Sequence, residues 1–119
     1  MMQACIITIG DELLQGYTVD TNSAWLGKEL QEFGVNVSKK ISIADELDEI
    51  EKELLNIKGE FDLVFITGGL GPTLDDVTRK AIAKTFDYSE KIDENYWQVI
   101  TERFSARGLD IPQNNRSQA

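Results

Sequence analysis

The chain contains no histidine, a single cysteine and no surplus of basic residues. The absence of histidine excludes Ser-His-Asp and Cys-His mechanisms and removes the commonest zinc ligand. The single cysteine, Cys5, excludes an intrachain disulfide; it is predicted to be a small core residue and is typical of a reducing cytoplasm. Any catalysis by this chain therefore depends on carboxylates, a metal ion and backbone groups.

The charge balance excludes another class of partner. Twenty-one acidic against twelve basic residues give a formal net charge of −9, so few cations remain to neutralise a nucleic-acid backbone. No apolar run is long enough to span a membrane, and the start of the chain lacks the basic region of a signal peptide. We expect one cytoplasmic domain of 119 residues, with neither a nucleic acid nor a membrane as partner.

A glycine-rich stretch, residues 67–78, is the most informative part of the sequence. It follows the apolar run at 63–66, which predicts a buried parallel strand, and it precedes a helical pattern from Val77 to Phe86. Glycines at a strand-to-helix turn let the backbone approach a ligand, and the N–H groups at a helix start suit a phosphate. The stretch has neither the lysine of a Walker A motif nor the spacing of the dinucleotide fingerprint.

Two adjacent carboxylates, Asp75 and Asp76, follow these glycines. Acids repel a phosphate unless a cation lies between them, so the pattern predicts a phosphate held together with a divalent metal. The alternative is structural: Thr73 or Asp75 caps the next helix, and Asp76 lies in its favourable first turn. Thr78 likewise either offers its hydroxyl to a phosphate or is a residue of the helix surface.

Strands and helices alternate along the chain, which predicts an α/β fold with a mainly parallel sheet. Strands are predicted at 4–9, 35–43 and 61–66, the second near a sheet edge with a single apolar face; helices are predicted at 20–33, 45–58, 77–86 and 91–107. The expected buried stripes are Leu26, Leu30 and Phe33 in the first helix, and Leu47, Ile50, Leu54 and Ile57 in the second.

Acids or glycines follow all three predicted strands. Ligands of parallel sheets bind beyond the carboxyl ends of the strands, so this convergence predicts a binding site there. The groups are Gly10-Asp11-Glu12 after the first strand, Asp45 after the second and Gly68 to Asp76 after the third. Asp45 has an alternative role as the cap of the following helix.

With these motifs, the chain resembles the N-terminal domain of CinA-type competence/damage-inducible proteins, in the molybdopterin-binding superfamily of MogA and MoaB. The matching pieces are Gly10-Asp11-Glu12-Leu13-Leu14, Asp20-Thr21-Asn22-Ser23, Asp45, Thr67 to Thr78 and Asn114-Asn115-x-x-Gln118-Ala119. The resemblance covers residues 1–119 and implies a three-layer sandwich with helices on both faces of the sheet. Family members continue beyond the last motif with further strands and another glycine-rich segment. The resemblance thus implies a C-terminally truncated domain, with an open sheet edge and a homo-oligomer.

The resemblance also implies a chemistry. CinA-type N-terminal domains are associated with metal-dependent hydrolysis of the pyrophosphate in ADP-ribose, whereas MogA-like domains transfer adenylate onto molybdopterin. Asp45 and Asp76 are the implied catalytic residues, and together with Asp75 the implied ligands of Mg²⁺, Mn²⁺ or Co²⁺. The nucleotide or pterin phosphate is expected at Gly10, Asp11, Glu12, Gly68, Gly69, Gly71, Pro72, Thr73 and Thr78.

Three functions remain open at this point: a hydrolase, a binding module for a nucleotide or molybdopterin-like ligand, and an assembly domain with a vestigial pocket. The assembly domain would oligomerise through its open sheet edge and the helix that carries Trp97. The clustered acids favour the hydrolase, because a passive phosphate site would gain from lysine or arginine.

Overall fold

The computed structural model describes residues 1–16, 19–74 and 76–119 and confirms the parallel α/β architecture. Strands β1 (Met2–Ile9), β2 (Val35–Ile43) and β3 (Leu63–Thr67) form a parallel sheet in the order β2-β1-β3. The central strand β1 is the most buried, as its nearly continuous apolar run predicts. All three strands therefore end at one edge of the sheet.

Five helices connect and follow these strands in the described part of the chain. They are α1 (Asp11–Leu14), α2 (Thr21–Glu32), α3 (Leu47–Ile57), α4 (Thr78–Phe86) and α5 (Glu94–Ala106), followed by a 3₁₀ helix (Gln113–Gln118). None of the helices in these residues is both long and apolar enough to cross a membrane.

The core lies between one face of the sheet and helices α3 and α4. Its buried members are Cys5, Ile7, Ile9, Ile43, Ile50, Leu54, Ile57 and Ala81. The predicted stripe of α3 and the burial of Cys5 are confirmed, and Val77 and Phe86, at the two ends of the helix predicted at 77–86, pack against this cluster. Helix α2 packs against β1 and β2, with Gly27 beside the side chain of Lys40 on the other face of the sheet. Helices thus cover both faces, as the three-layer fold requires.

Strand β2 is an edge strand of the described sheet, as predicted, but its apolar residues do not share one face. Ala4 pairs with Val37 and Cys5 pairs with Lys39, so Ser38 is an extra residue in β2. Such a bulge reverses which face each following residue occupies. The two valines before the bulge share a face with Ala4, and the two isoleucines after it join the core. The prediction of a single apolar face is therefore wrong, because a bulge leaves no trace in period-2 spacing.

The predicted stripe of α2 is also wrong at its end. Phe33 is 81% exposed, and the only fully buried residue of this helix is Ser23. Phe33 follows the last residue of α2 as its C-cap, so its side chain lies outside the helix face that packs against β1 and β2. Leu26 and Leu30 remain half-buried.

The C-terminal segment folds back onto α5. The guanidinium of Arg116 lies 5.7 Å from the centre of the Trp97 ring and also pairs with Glu94. The backbone N–H of Asp93 donates to the carbonyl oxygen of Ala119 at 3.0 Å. No strand follows β3 in the part of the chain described, and the outer edge of β3, with Val64 exposed, has no strand neighbour there. Homo-oligomerisation through this edge stays a prediction.

Asp20 is the N-cap of α2, and its substitution tests how much this cap contributes to stability. Its carboxylate accepts hydrogen bonds from the backbone N–H of Ser23 at 3.1 Å and from the Ser23 hydroxyl, and so caps α2. Burial opposes ionisation, but the Ser23 hydrogen bonds and the charge of Lys40 hold the pKa of Asp20 below its ordinary value. We expect Asp20→Ala to lower the free energy of unfolding by about 1 kcal/mol in urea titrations at pH 7.

Because the pKa of Asp20 is lower in the folded than in the unfolded protein, its contribution is present above the unfolded pKa of about 3.9. The difference between wild type and Asp20→Ala should therefore shrink as the pH falls below this value. Asp20→Asn is the matched variant, since asparagine also caps helices. It should keep most of the stability at pH 7 while losing the pH dependence, and a loss equal to that of Asp20→Ala would contradict capping.

Candidate functional site

The carboxyl ends of the three strands bring their loops together. The backbone N–H of Gly10, directly after β1, donates to the carbonyl oxygen of Ile43 at the end of β2, at 3.0 Å. Gly68 follows β3 on the other side of β1. The acid-bearing and glycine-rich loops predicted from the sequence are therefore neighbours in space.

Asp11 and Asp45 hold the β1 and β2 loops together by reciprocal hydrogen bonds. The backbone N–H of Asp45 donates to Oδ1 of Asp11 at 3.1 Å, and the N–H of Asp11 donates to Oδ2 of Asp45 at 3.3 Å. Helix α3 begins after Glu46 without a side-chain cap, so the alternative role of Asp45 as its cap is wrong. Asp45 instead joins two strand ends and places two carboxylates side by side.

The third loop is organised around Asp76. Its Oδ2 atom accepts hydrogen bonds from the backbone N–H of Thr73 at 3.1 Å and from the Thr73 hydroxyl at 2.5 Å. Helix α4 starts after Val77, which forms no side-chain cap, and its first turn has no acid. Capping by Thr73 and a first-turn position for Asp76 are therefore wrong. Asp75 lies outside the described residues, so its predicted roles as cap and metal ligand remain predictions.

Gly68 and Gly69 both have positive φ angles, of 90° and 65°, and the loop packs closely at both. A β-carbon on Gly68 would overlap the carbonyl oxygen of Ile9, and one on Gly69 would overlap the hydroxyl of Thr78. The Thr78 hydroxyl is buried and donates to the carbonyl oxygen of Gly68 at 2.7 Å. Thr78 is therefore no helix-surface residue: it fixes the glycine turn against the start of α4.

The remaining predicted ligand positions surround these groups. Glu12 lies in the first turn of α1 and is exposed, and its carboxylate lies next to Gly10. Gly71 packs beside the carboxylate of Asp76, and Pro72 follows it at the tip of the loop. The structure thus brings the described candidate residues to one edge of the sheet, and their role in ligand binding stays a prediction.

The pKa values of the two principal carboxylates, Asp45 and Asp76, shift in opposite directions. Burial raises the pKa of Asp45, and the negative charges of Asp11, Glu12 and Asp76 raise it further against the hydrogen bond from Asp11. Hydrogen bonds from Thr73 hold the pKa of Asp76 below its ordinary value, with help from the charge of Arg79. Asp76 is therefore the firmly ionised member, and Asp45 is the one that takes up a proton more readily.

The carboxylates of this site fit a hard divalent cation only if a bound phosphorylated ligand supplies further oxygen ligands. In residues 1–16, 19–74 and 76–119, no group of three or more acidic, cysteine or histidine side chains is arranged to hold a metal ion. Mg²⁺ is commonly bound through one or two carboxylates together with substrate phosphates and water. Asp45 and Asp76 supply such carboxylates, so the residues present fit a cation that a phosphorylated ligand helps to hold.

Sequence reasoning missed Arg79. This residue directly follows Thr78 in α4, acts on Asp76 by its charge, donates to the carbonyl oxygen of Ser117 and lies 3.9 Å from Glu90. The available signal was its position in the first turn after the glycine loop, which brings a cation to the acidic site. The contact with Ser117 joins residues 38 positions apart, and no local pattern reveals it.

Comparison with known proteins gives consistent matches. The profile of the family described as "Probable molybdopterin binding domain" matches residues 5–114. A CinA-like protein of Thermotoga maritima is 41% identical over 119 residues, which is 100% of this chain and 29% of that protein. The chain thus spans less than a third of the length of the curated relatives it matches.

Solved structures agree with this. The crystal structure of CinA from Thermoplasma acidophilum, described as of unknown function, superposes with a TM-score of 0.83 at 35% identity, covering 98% of this chain and 68% of that one. The molybdopterin biosynthesis enzyme MoaB of Thermus thermophilus superposes with a TM-score of 0.65 at 24% identity, covering 99% and 72%. At that identity, the likeness to MoaB establishes the fold alone.

Proposed function

The chain belongs to the molybdopterin-binding domain family as a CinA-type N-terminal domain, and from this membership we propose that it is a metal-dependent hydrolase of the pyrophosphate bond in ADP-ribose-like nucleoside diphosphates. One observation carries the proposal. Asp11 and Asp45 meet through reciprocal hydrogen bonds, with Glu12 and Asp76 near enough to act on Asp45 by their charge. Such a concentration of acids beside a glycine-rich turn suits a cation and a phosphate together.

The reaction places defined demands on these residues. A water oxygen forms a bond to one phosphorus, and the bridging oxygen leaves on the other phosphate with the electron pair of the broken bond. Asp45 accepts the proton of that water through Oδ1, since its Oδ2 atom accepts the N–H of Asp11. For ADP-ribose, the products are AMP and ribose 5-phosphate.

The loop and the ionised acid complete the arrangement. The Gly68–Gly71 backbone positions the phosphates, and its shape is fixed by Thr78. Asp76 stays ionised because Thr73 donates to it, and so it can hold a cation together with Asp45. When bound, a divalent cation would neutralise the non-bridging oxygens and favour ionisation of water.

The test measures turnover of ADP-ribose by the purified chain with Mg²⁺, Mn²⁺ or Co²⁺. An added phosphatase converts the product monophosphates to inorganic phosphate, which is then quantified. We expect metal-dependent phosphate release that falls at least about 100-fold with excess EDTA and returns when the metal is restored. Turnover that is unaffected by EDTA would contradict the metal requirement, and no turnover with any of the three metals would contradict the hydrolase.

The second candidate is a module that binds a molybdopterin- or nucleotide-like ligand without converting it. The lack of a three-ligand metal cluster in the described residues favours this candidate. It predicts that AMP or ADP-ribose raises the melting temperature while no phosphate is released. Adenylyl transfer to molybdopterin, the chemistry of MogA-like relatives, would instead consume ATP only when molybdopterin is present.

A further inference from the structure

A cavity of about 840 Å³ lies between α4, the segment that follows it and the C-terminal residues. Its size is in the range of small-molecule sites, which is about 300–1,000 Å³. We call it the basic cavity and define it by Leu70, Arg79, Lys80, Tyr88, Lys91 and Ile92. Leu70 belongs to the glycine-rich loop, so the basic cavity adjoins the acidic site at the strand ends.

The charge of the basic cavity is opposite to that of the chain. Three of the twelve cationic side chains line it, in a chain whose net charge is −9. One acidic side chain, Glu90, also lines the cavity, 3.9 Å from Arg79. In the described part of the chain, neither Lys80 nor Lys91 forms an ion pair. Their ammonium groups can therefore meet an anionic ligand without breaking an internal contact.

The walls between these cations are apolar. Tyr88 is 71% exposed, Leu70 48% and Ile92 37%, so all three present apolar surface that a ligand could cover. An aromatic ring beside aliphatic side chains suits a flat, weakly polar group such as a nucleobase, since bases stack well on aromatic side chains. The combination of cations and ring-binding surface fits a ligand that carries both a phosphate and a ring.

We propose that the basic cavity binds the nucleoside 5′-phosphate half of the substrate, and this inference rests on the proposed function. The phosphate of that half lies toward Arg79 and Lys91, and its base lies against Tyr88 and Leu70. The other phosphate lies at the acidic site, where Asp45 and Asp76 need a cation to tolerate it. Leu70 of the glycine-rich loop lines the basic cavity, and Arg79 directly follows Thr78, whose hydroxyl donates to the carbonyl oxygen of Gly68, so the two parts are adjacent.

This division also explains an apparent conflict in the site. A purely acidic site would repel the second phosphate of a diphosphate, whereas cations within the acidic site would displace the metal. Placing Lys80, Lys91 and Arg79 in the neighbouring basic cavity separates the two requirements. The phosphate of the nucleoside half is bound by the cationic side chains of the basic cavity. The other phosphate is bound at the acidic site by the carboxylates together with a divalent cation.

The experiment titrates AMP, adenosine, ribose 5-phosphate and inorganic phosphate into wild type and variants by isothermal calorimetry. AMP should bind more tightly than each of the other three. Lys91→Gln should weaken AMP about five-fold, and Tyr88→Ala should weaken AMP and adenosine but leave ribose 5-phosphate unchanged. Lys84→Gln is the control for the loss of one lysine charge, because Lys84 lies on α4 beside the basic cavity but does not line it and pairs with Glu51.

Arg79→Gln should have the largest effect, about ten-fold or more, but it also removes the contact with Ser117. The exposed Lys91 and Tyr88 variants therefore decide the matter, with circular dichroism as the check on folding. Unchanged AMP affinity in both variants, or no AMP binding to wild type at millimolar concentration, would overturn the inference.

Kinetics separate this inference from the hydrolase. With ADP-ribose, Lys91→Gln should raise KM and leave kcat near the wild-type value. Metal-dependent turnover with an unchanged KM would overturn the cavity assignment while the hydrolase stands. AMP affinity that falls in the cavity variants, in a protein without turnover, would support the cavity assignment and overturn the hydrolase.

Discussion

Replacing Gly68 by alanine should lower the free energy of unfolding by about 3 kcal/mol and the melting temperature by roughly 10 °C. The residue has a φ of 90°, which L-amino acids rarely adopt, and a β-carbon there would overlap the carbonyl oxygen of Ile9. Neither residue can move freely, since Ile9 ends the central strand and Gly68 is hydrogen-bonded to Thr78. Thermal and urea unfolding of both proteins would measure the loss.

Gly108→Ala is the matched control for this effect. Gly108 also has a positive φ, of 70°, but a β-carbon there would meet no atom within 4 Å. Its substitution should therefore cost only the backbone strain, about 1 kcal/mol. If the two substitutions cost the same, the close approach between the glycine loop and β1 contributes nothing to stability. In that case, the positive φ would be the only structural reason for glycine at 68.

The contrast shows how far sequence reasoning reaches. Glycines after an apolar run correctly predicted a strand-to-helix turn at 68–71, because positive φ is a local requirement. The partners of that turn, Ile9 and Thr78, are set by tertiary packing, and only the structure identifies them. In the same way, alternation predicted the parallel sheet, while the bulge at Ser38 and the exposure of Phe33 depend on what each element packs against.

In the candidate site, too, some features could be predicted from the sequence and others are set by tertiary contacts. The convergence of acids at three strand ends followed from topology alone, because parallel strands present their carboxyl ends at one edge. The alternative role of Asp45 as a helix cap could be tested only in the structure, where its carboxylate accepts the N–H of Asp11 from the neighbouring loop instead. The basic cavity was missed because its cations are scattered through a strongly acidic sequence, and only the fold gathers them.

Asp45→Asn should lower kcat for ADP-ribose at least about 100-fold, because the variant can neither accept the proton of water nor contribute a charge to the cation. The same substitution should raise the melting temperature of the metal-free protein at pH 7. Burial and the charges of Asp11, Glu12 and Asp76 make ionised Asp45 unfavourable in the folded state. Asparagine keeps an oxygen that accepts the N–H of Asp11 and removes the repulsion.

The stability gained by Asp45→Asn should depend on pH. Because the pKa of Asp45 is higher in the folded than in the unfolded protein, wild-type stability is favoured below the unfolded pKa of about 3.9 and declines as the pH rises through the folded pKa. The stability gained by Asp45→Asn should thus be small at about pH 3.5 and larger at about pH 7, both measured without metal.

Asp110→Asn is the control for the loss of one charge, because Asp110 lies in an exposed loop, and it should change neither stability nor kcat. Lost turnover without gained stability would place Asp45 in catalysis but contradict the repulsion. Gained stability with full turnover would show that a carboxylate crowded among acids can be dispensable. Lower stability together with lower turnover would mean that Asp45 acts chiefly by joining the β1 and β2 loops.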